Sequence, residues 1–230
     1  VDEIARAVAR DPLDIRKLNL YSSNGGRNVT HYGQKIEQHV LRPIIDRLEK
    51  TSDYRGRRIA ISEFNQKNLW LKKGLALTPV KFGISFTVKH LNQAGALIHV
   101  YTDGSIHLNH GGTEMGQGLF TKVAQVVAEV FGVDISLIRC SATGTDKVPN
   151  TSPTAASSGA DLNGMAAKVA AEEIKARLID FARDHFKIAE NEVAFSDGKV
   201  VFGERVLPFR DFINLAYMNR ISLSSTGYYK

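Results

Sequence analysis

The sequence has little cysteine, and this scarcity excludes several kinds of site. Cys140 is the single cysteine among 230 residues, so the chain holds no internal disulfide and no thiolate metal cluster of its own. We interpret Cys140 as a small apolar core residue and not as a catalytic thiol. Because disulfides are rare in the cytoplasm, this composition favours a cytoplasmic location.

Long apolar runs are also absent. No stretch of about 18 apolar residues occurs, which excludes a membrane-spanning helix, so we expect no membrane partner. The opening VDEIARAVARDPLDI lacks the apolar centre of a signal peptide. The chain starts within a helix-like segment without an initiator Met and stops on a strand-like segment. We therefore expect an internal segment of a longer protein.

Acidic charge is scarce only in the N-terminal third. Residues 1–80 hold 15 Lys and Arg against 9 Asp and Glu, whereas residues 81–230 hold 15 against 15, so the first part carries the whole net charge of +6. Nucleic-acid binding is one interpretation of this excess. No aromatic interleaving or nucleic-acid motif accompanies Arg55, Arg57 and Arg58, so we favour a solvated or protein-contacting face and expect no nucleic-acid partner.

The hydrophobic pattern changes near residue 70. Residues 1–70 repeat apolar side chains at helical spacing and predict a mostly helical segment, whereas residues 71–230 mix helical and alternating patterns, so the sequence predicts an α+β fold. The predicted helices of the second segment are 118–131, 159–184 and 207–217. Residues 71–88 are predicted to be β-like, with interruptions at Gly74, Pro79 and Gly83. The other predicted strands are 96–101, 105–109, 135–141, a pair within 193–203, and 221–228.

Two loops of small residues are the most specific feature of the chain. GGTEMGQG at 111–118 and TSPTAASSG at 151–159 each lead into a predicted helix. Small residues leave backbone N–H groups open and a helix start adds partial positive charge, so the two loops could hold a large anionic ligand. Alternatively, the glycines serve a strand–helix connection and the hydroxyls cap a helix. The first loop matches neither a Walker loop nor a dinucleotide fingerprint.

Two other groups of residues were weighed as site candidates. His107 and His110 flank the first loop, but side chains three residues apart on a strand point to opposite faces, and no acidic or thiol partner has ligand spacing. We therefore expect no metal site at these histidines. Phe86 lies in a strand-like segment, where periodicity alone favours a position in the core.

Several longer stretches resemble a known family. The chain contains KFGISFTVKHLNQAGALIHVYTDGSIHLNHGGTEMGQGLFTKVAQV and KVPNTSPTAASSGADLNG, with the shorter DIRKLNLY, SEFNQKNLWLKKGLALTPVKFGI and NRISLSSTGYY. These stretches resemble the molybdopterin-binding part of the xanthine dehydrogenase family of molybdenum hydroxylases, and the resemblance extends over essentially the whole chain. The related aldehyde oxidases share the MGQG region but differ at FGISFT and at SPTAAS, where glycines replace the alanines.

The resemblance implies which residues hold a molybdenum–molybdopterin cofactor. Gln117 is expected close to the molybdenum centre, and Ala156 in the immediate shell of the metal. The second loop is expected to give hydroxyl and backbone donors to the pterin and its phosphate. The implied cofactor-binding residues are Met115, Gly116, Gln117, Thr154, Ala155, Ala156, Ser157 and Gly159.

The resemblance also implies a purine pocket. Phe86 is expected to meet the flat purine edge-on, with Thr87 and Ala155 as further substrate contacts. An edge-to-face aromatic contact contributes about 0.5–1.5 kcal/mol beyond its buried area. The resemblance therefore implies that Phe86 lies in the wall of the substrate pocket and not in the core.

The implied activity is the hydroxylation of hypoxanthine and xanthine to urate, with electrons passing through 2Fe-2S centres and FAD to NAD. The family's FRGFGG motif and the general-base Glu of a GVGEPP-like motif do not occur in this sequence. We therefore expect no catalytic residue within the chain, and we expect the remaining polypeptide of the same enzyme, as a homodimer, as partner.

Two alternative functions are also compatible with the sequence. The first is another molybdenum hydroxylase that acts on aldehydes or N-heterocycles, against which Phe86 and the pair Ala155–Ala156 argue. The second is a non-catalytic phosphate-binding or assembly module that uses the two loops structurally.

Overall fold

The computed structural model describes residues 1–23, 26–148 and 151–230. They form two compact units, Val1–Phe82 and Gly83–Lys230. The mixture of helices and small sheets confirms the predicted α+β class. The predicted division into residues 1–70 and 71–230 stays a prediction.

The first unit is helical in its described part. Asp11 begins the second helix, because its carboxylate accepts a hydrogen bond of 2.8 Å from the N–H of Leu13 and Pro12 takes the first helical position. Pro43 lies in the first turn of the third helix, where the missing N–H of proline is harmless. The helices are α1 Asp2–Ala7, α2 Pro12–Leu18, α3 Leu41–Thr51 and α4 Tyr54–Lys67.

Ion pairs within the first unit engage part of its basic excess. Arg55 contacts the carboxylates of Asp14 at 2.6 Å and Glu49 at 2.7 Å, and Arg58 contacts Asp11 at 3.3 Å. The bonds to Asp14 and Glu49 raise the pKa of Arg55. Two of the three arginines singled out for a nucleic-acid surface are therefore paired with acidic side chains.

The strand predicted at 71–88 is wrong. Residues 71–82 belong to no helix or strand, and no described neighbour pairs with them. Residues 75, 77 and 79 are half-buried and the residues between them are exposed. Leu75 and Leu77 instead pack against the helical core of Leu13, Ile45 and Tyr54. The two-residue alternation correctly indicated one half-buried face at residues 75–79, but it could not indicate whether a partner strand exists.

The second unit is built on a four-stranded sheet. Its strands are β1 Ala94–Val100, β2 Ile106–His110, β3 Ile138–Cys140 and β7 Ser224–Tyr229, in the spatial order β3-β2-β1-β7. Strands β1 and β2 form the predicted hairpin across Asp103–Gly104, β7 adds antiparallel to β1, and β3 adds parallel to β2. Residues 135–137 form a 3-10 turn that Asp134 caps, so the predicted strand at 135–141 is shorter than expected.

Two helices cover one face of this sheet. Helices α5 (Leu119–Phe131) and α6 (Gly159–Phe186) bury apolar side chains against the sheet residues Ala96, Ile98 and Leu108. Helix α6 comes very close to β7, since a Cβ at Gly227 would lie 2.0 Å from the backbone oxygen of Ala166. Glycine is thus required at this helix–sheet contact.

A smaller sheet completes the unit. Its strands are β4 Val193–Ser196, β5 Lys199–Phe202 and β6 Arg205–Pro208, followed by helix α7 Phe209–Met218. The predicted pair within 193–203 is confirmed, whereas residues 207–208 belong to β6 and not to the helix. No helix in the described part of the chain combines the length and hydropathy that a membrane span requires.

Candidate functional site

The first loop, residues 111–118, connects β2 to α5 and folds around the side chain of Glu114. One carboxylate oxygen, Oε1, accepts hydrogen bonds of 2.9 Å from the N–H groups of Gly116 and Gly118, and Oε2 accepts one of 3.0 Å from Phe120. These backbone bonds, the one from Phe120 first, lower the pKa of Glu114. The N–H groups that we expected to face a ligand are therefore engaged by the loop itself.

Gln117 is held by the same loop. Its Oε1 accepts a hydrogen bond of 2.6 Å from the N–H of Met115, and its Nε2 donates one of 2.9 Å to the carbonyl of Thr113. A primary amide has two N–H donors and two acceptor lone pairs, so one donor and one lone pair remain available. The side chain is thus fixed in direction and still able to bind a ligand.

The second loop runs into α6, and its residues 151–158 are described. Ala156 and Ser157 both have φ of 54°, in the left-handed region, which costs a non-glycine residue about 1–2 kcal/mol. The carbonyl of Ala156 accepts a hydrogen bond of 3.0 Å from the N–H of Ser85, which ties the loop to the segment before β1. Pro149 and Asn150, which precede this loop in the VPNTSPTAAS motif, lie outside the described residues.

A hydrogen bond joins the two loops directly. The N–H of Thr113 donates to Oγ1 of Thr154 at 2.8 Å. The loops also touch at Gly111, where an added Cβ would lie 1.8 Å from Oγ1 of Thr151, so a larger residue would push the loops apart. Residues some forty positions apart in the sequence thus form one site.

A pocket of about 480 Å³ lies between the loops, within the size range of small-molecule sites. It brings together seven of the eight predicted cofactor-binding residues, and Gly116 is the one that does not line it. Among the described residues that line the pocket, Lys122 alone carries a charge. The lining residues are Met115, Gln117, Leu119, Lys122, Thr154, Ala155, Ala156, Ser157, Gly159 and Ala160.

Two important residues of this site were not predicted from the sequence. Lys122 lies four positions after Gly118, about one helical turn into α5, a spacing that could have indicated that it faces the loop. Glu114 is an acidic residue just before a helix, and acidic residues are favoured at helix starts.

The start of α6 differs from the start of α5. No hydrogen bond within the described residues engages the N–H groups of Gly159, Ala160 and Asp161. Gly159 and Ala160 both line the pocket. These N–H groups, the hydroxyls of the second loop and the ammonium of Lys122 are suited to an anionic ligand.

Phe86 lies beside the second loop but does not line the pocket. Asn92 holds its backbone through two hydrogen bonds of 2.8 Å, accepting from the N–H of Phe86 and donating to its carbonyl. The Phe86 side chain is half-buried and is not part of the main apolar core, while Thr87 is exposed. The core position that periodicity favoured for Phe86 is therefore wrong.

The buried side chain of His110 contacts the first loop. Its ring is buried, packs edge-on against Phe120 at 5.1 Å, and accepts the N–H of Gly112 at Nδ1. Burial lowers the pKa of His110 to about 4, so the ring is neutral near pH 7. Its Nε2 has no hydrogen-bond partner among the described residues.

His107 and Cys140 lie in other environments. His107 stacks on His99 with ring centroids 6.1 Å apart. Burial lowers the pKa of His107 most, and the nearby His99 and Lys147 lower it further. Cys140 packs against the core, as predicted, and burial raises its pKa to about 11. Within the described residues, no three or more His, Cys, Asp or Glu side chains form a group that could hold a metal ion.

A larger groove of about 890 Å³ lies at the other end of α5. Its charged lining residues are Glu129, Asp134 and Asp197, all acidic. Acidic side chains repel an anionic ligand, so the smaller pocket between the loops is the better candidate for a cofactor that carries a phosphate.

Comparison with known families identifies the class of this chain. Residues 47–230 match the family described as the molybdopterin cofactor-binding domain, and the chain belongs to that family. The cofactor is molybdenum–molybdopterin, and the hydroxyl, amide, ammonium and N–H donors around the pocket fit a polar, anionic group of this kind.

Among individual proteins, xanthine dehydrogenases are similar over the full length of the chain. The enzyme of Drosophila pseudoobscura pseudoobscura is 46% identical over 229 residues, and the xanthine dehydrogenase/oxidase of Gallus gallus is 45% identical over 230 residues. Each match covers 100% of this chain and 15% of the relative, so the chain spans about one seventh of the length of these proteins.

Solved structures share the fold at lower identity. Quinoline 2-oxidoreductase from Pseudomonas putida 86 superimposes with a TM-score of 0.81 at 21% identity, over 100% of this chain and 31% of that one. The Cu,Mo-CO dehydrogenase superimposes with a TM-score of 0.72 at 17% identity, over 99% of this chain and 31% of the other. These similarities establish the fold.

Proposed function

We propose that the pocket between the two loops forms one wall of the molybdopterin site of a xanthine dehydrogenase. The observation that carries the proposal is the convergence of the two loops, whose hydrogen bond between Thr113 and Thr154 brings Gln117 and the start of α6 to the same pocket. The similarity to xanthine dehydrogenases over the whole chain supports this choice among the molybdenum hydroxylases.

Each part of the pocket has its own task in this proposal. Gln117 directs its free N–H towards the cofactor near the metal, and Ala156 leaves space beside the molybdenum. The N–H groups at the start of α6 and the ammonium of Lys122 bind the anionic end of the cofactor. When bound, the cofactor supplies the oxidation chemistry. This chain holds the cofactor, and the small side chain of Ala156 leaves the space beside the metal free.

The substrate of the assembled enzyme is proposed to be a purine, hypoxanthine or xanthine, converted to urate. Phe86, Thr87 and Ala155 form one wall of its pocket, with the ring of Phe86 set edge-on to the purine. The general base lies outside this chain, and electrons pass through 2Fe-2S centres and FAD to NAD. We also propose that the assembled enzyme is a homodimer located in the cytoplasm.

Replacement of Gln117 tests the cofactor site. In the assembled enzyme, we expect Gln117→Ala to lower molybdenum content or turnover per molybdenum by at least about tenfold, since a hydrogen bond to a charged group contributes about 1.5–3 kcal/mol. Gln125→Ala is the matched control, because Gln125 is exposed on α5 outside the pocket. Full molybdenum content with full activity in the Gln117 variant would contradict the assignment.

A substrate panel tests the purine assignment. The wild-type enzyme should turn over xanthine and hypoxanthine with a higher kcat/KM than aldehydes or quinoline-type heterocycles. A wide preference for an aldehyde would assign the chain to another branch of the molybdenum hydroxylases.

A further inference from the structure

The two helices that begin beside the pocket differ in the state of their backbone donors. At the start of α5, the N–H groups of Gly116, Gly118 and Phe120 all donate to the carboxylate of Glu114. At the start of α6, no described group accepts from the N–H groups of Gly159–Asp161. One helix start is therefore occupied by an anion of the chain itself, and the other is open.

The carboxylate of Glu114 occupies the position that an anion bound at this helix start would take. It uses both oxygens, its three hydrogen bonds measure 2.9–3.0 Å, and it lies at the positive end of a helix of 13 residues. A second anion at the same place would find these donors engaged and would meet a like charge. The start of α5 is thus closed to the phosphate of a cofactor.

The same carboxylate fixes the shape of the first loop. Gly116 and Gly118, both at positive φ, turn the backbone so that their N–H groups converge on Glu114. The turn places Met115 and Gln117, which alternate with these glycines, at the pocket. Loss of the carboxylate would leave three N–H donors without partners and remove the hydrogen bonds that stabilise this turn.

We propose that Glu114 is a positioning residue for the cofactor. Its carboxylate occupies the anion site at the start of α5 and holds the first loop in its binding shape without ligand. The cofactor's anionic end is thereby directed to the start of α6 and to Lys122, which has no ion-pair partner among the described residues and lines the same pocket. The inference rests on the proposed function, which it deepens by identifying Glu114 as the residue that shapes the first loop and closes the other helix start to the phosphate.

Hydrogen exchange in the cofactor-free enzyme tests the first part. The assembled enzyme is purified from cells that cannot make the pterin, and amide exchange is followed by mass spectrometry in peptides spanning residues 113–121. Exchange at Gly116, Gly118 and Phe120 should be at least about tenfold faster in Glu114→Ala than in wild type, as expected for lost charge-assisted bonds. Formate, which supplies a carboxylate, should restore the slow exchange.

Two further variants keep this test decisive. Glu114→Gln preserves the size of the side chain but turns an N–H₂ group towards one of the three donors, so it should also exchange faster even if the alanine variant does not fold. Glu129→Gln removes the same charge from an exposed position of α5 and should exchange like wild type. Wild-type exchange at all three amides in the Glu114 variants would overturn the proposal.

Inorganic phosphate tests the second part. In the wild-type apoenzyme, phosphate should slow the exchange of Gly159–Asp161 and leave that of Gly118 and Phe120 unchanged, whereas protection at Gly118 and Phe120 would overturn the proposal. These exchange measurements need no cofactor. A wild-type enzyme that never acquires molybdenum would refute the proposed function separately, so the two failures are distinguishable.

Discussion

At the scale of single residues, hydrogen bonds and backbone conformation within the chain fix the shape of the site. The amide of Gln117 is fixed by Met115 and Thr113, and the second loop keeps Ala156 and Ser157 in the left-handed region. Such strain is often stored at binding sites, where the surrounding structure stabilises it. We infer that the pocket recognises its ligand with little rearrangement of these side chains.

Substitution of Phe86 measures its contribution to substrate binding. In the assembled enzyme, Phe86→Ala should raise the KM for xanthine by about tenfold at unchanged molybdenum content, because it removes an edge-to-face contact of up to about 1.5 kcal/mol. Phe82→Ala is the control, since Phe82 is also a phenylalanine before β1 and is 68% exposed. Equal KM values in both variants would place Phe86 outside the purine pocket.

His110 should make stability depend on pH. Its pKa of about 4 lies below the ordinary 6.5 because burial disfavours the charged ring, so protonation favours the unfolded state. The stabilisation is complete above pH 6.5 and is lost as the pH falls towards 4, by about 3 kcal/mol in total. The measurement is the free energy of unfolding of the second unit between pH 4 and 7.

The control for this pH dependence is His110→Asn. The Asn side-chain oxygen replaces Nδ1 as acceptor for the N–H of Gly112, but it does not titrate. The variant should therefore show a shallower fall in stability between pH 6.5 and 4. Parallel profiles for the two proteins would assign the dependence to other groups.

At the scale of elements, local patterns were sufficient wherever one stretch of chain determines the structure. The hairpin at Asp103–Gly104 and the start of helix α5 follow from turn chemistry and from the 3.6-residue repeat. The strand predicted at 71–88 was wrong, because pairing depends on a neighbour that no local pattern reveals. The cap formed by Glu114 was missed for a related reason, since its three donors become neighbours only when the loop closes.

The contact between α6 and β7 should be intolerant of any side chain at Gly227. Gly227→Ala would place a methyl group 2.0 Å from the carbonyl oxygen of Ala166, and we expect a loss of about 3 kcal/mol in the free energy of unfolding. Gly83→Ala is the control, because a Cβ there meets nothing within 4 Å and the backbone is not at positive φ. Thermal or urea unfolding of the two variants provides the comparison, and equal stability would contradict the close packing.

At the scale of the whole molecule, the chain consists of a basic helical unit and an α+β unit that carries the two loops proposed to hold the cofactor. The pairing of Arg55 and Arg58 with acidic side chains favours a structural use of the basic residues over nucleic-acid binding. The family could be predicted from sequence motifs, which also identified the two loops as a candidate site. The sequence could not predict that Glu114 engages the N–H groups at the start of α5 while those at the start of α6 have no acceptor among the described residues. This difference depends on which side chain reaches which N–H group.

The most direct test of the cofactor site is an experimental structure of the assembled enzyme with its cofactor bound. We predict density for the pyranopterin in the pocket between Gln117 and the start of α6, with the phosphate near Gly159 and Ala160 and the Glu114 carboxylate still bound to its three N–H groups. A pterin located outside the pocket between the two loops would contradict the central claim.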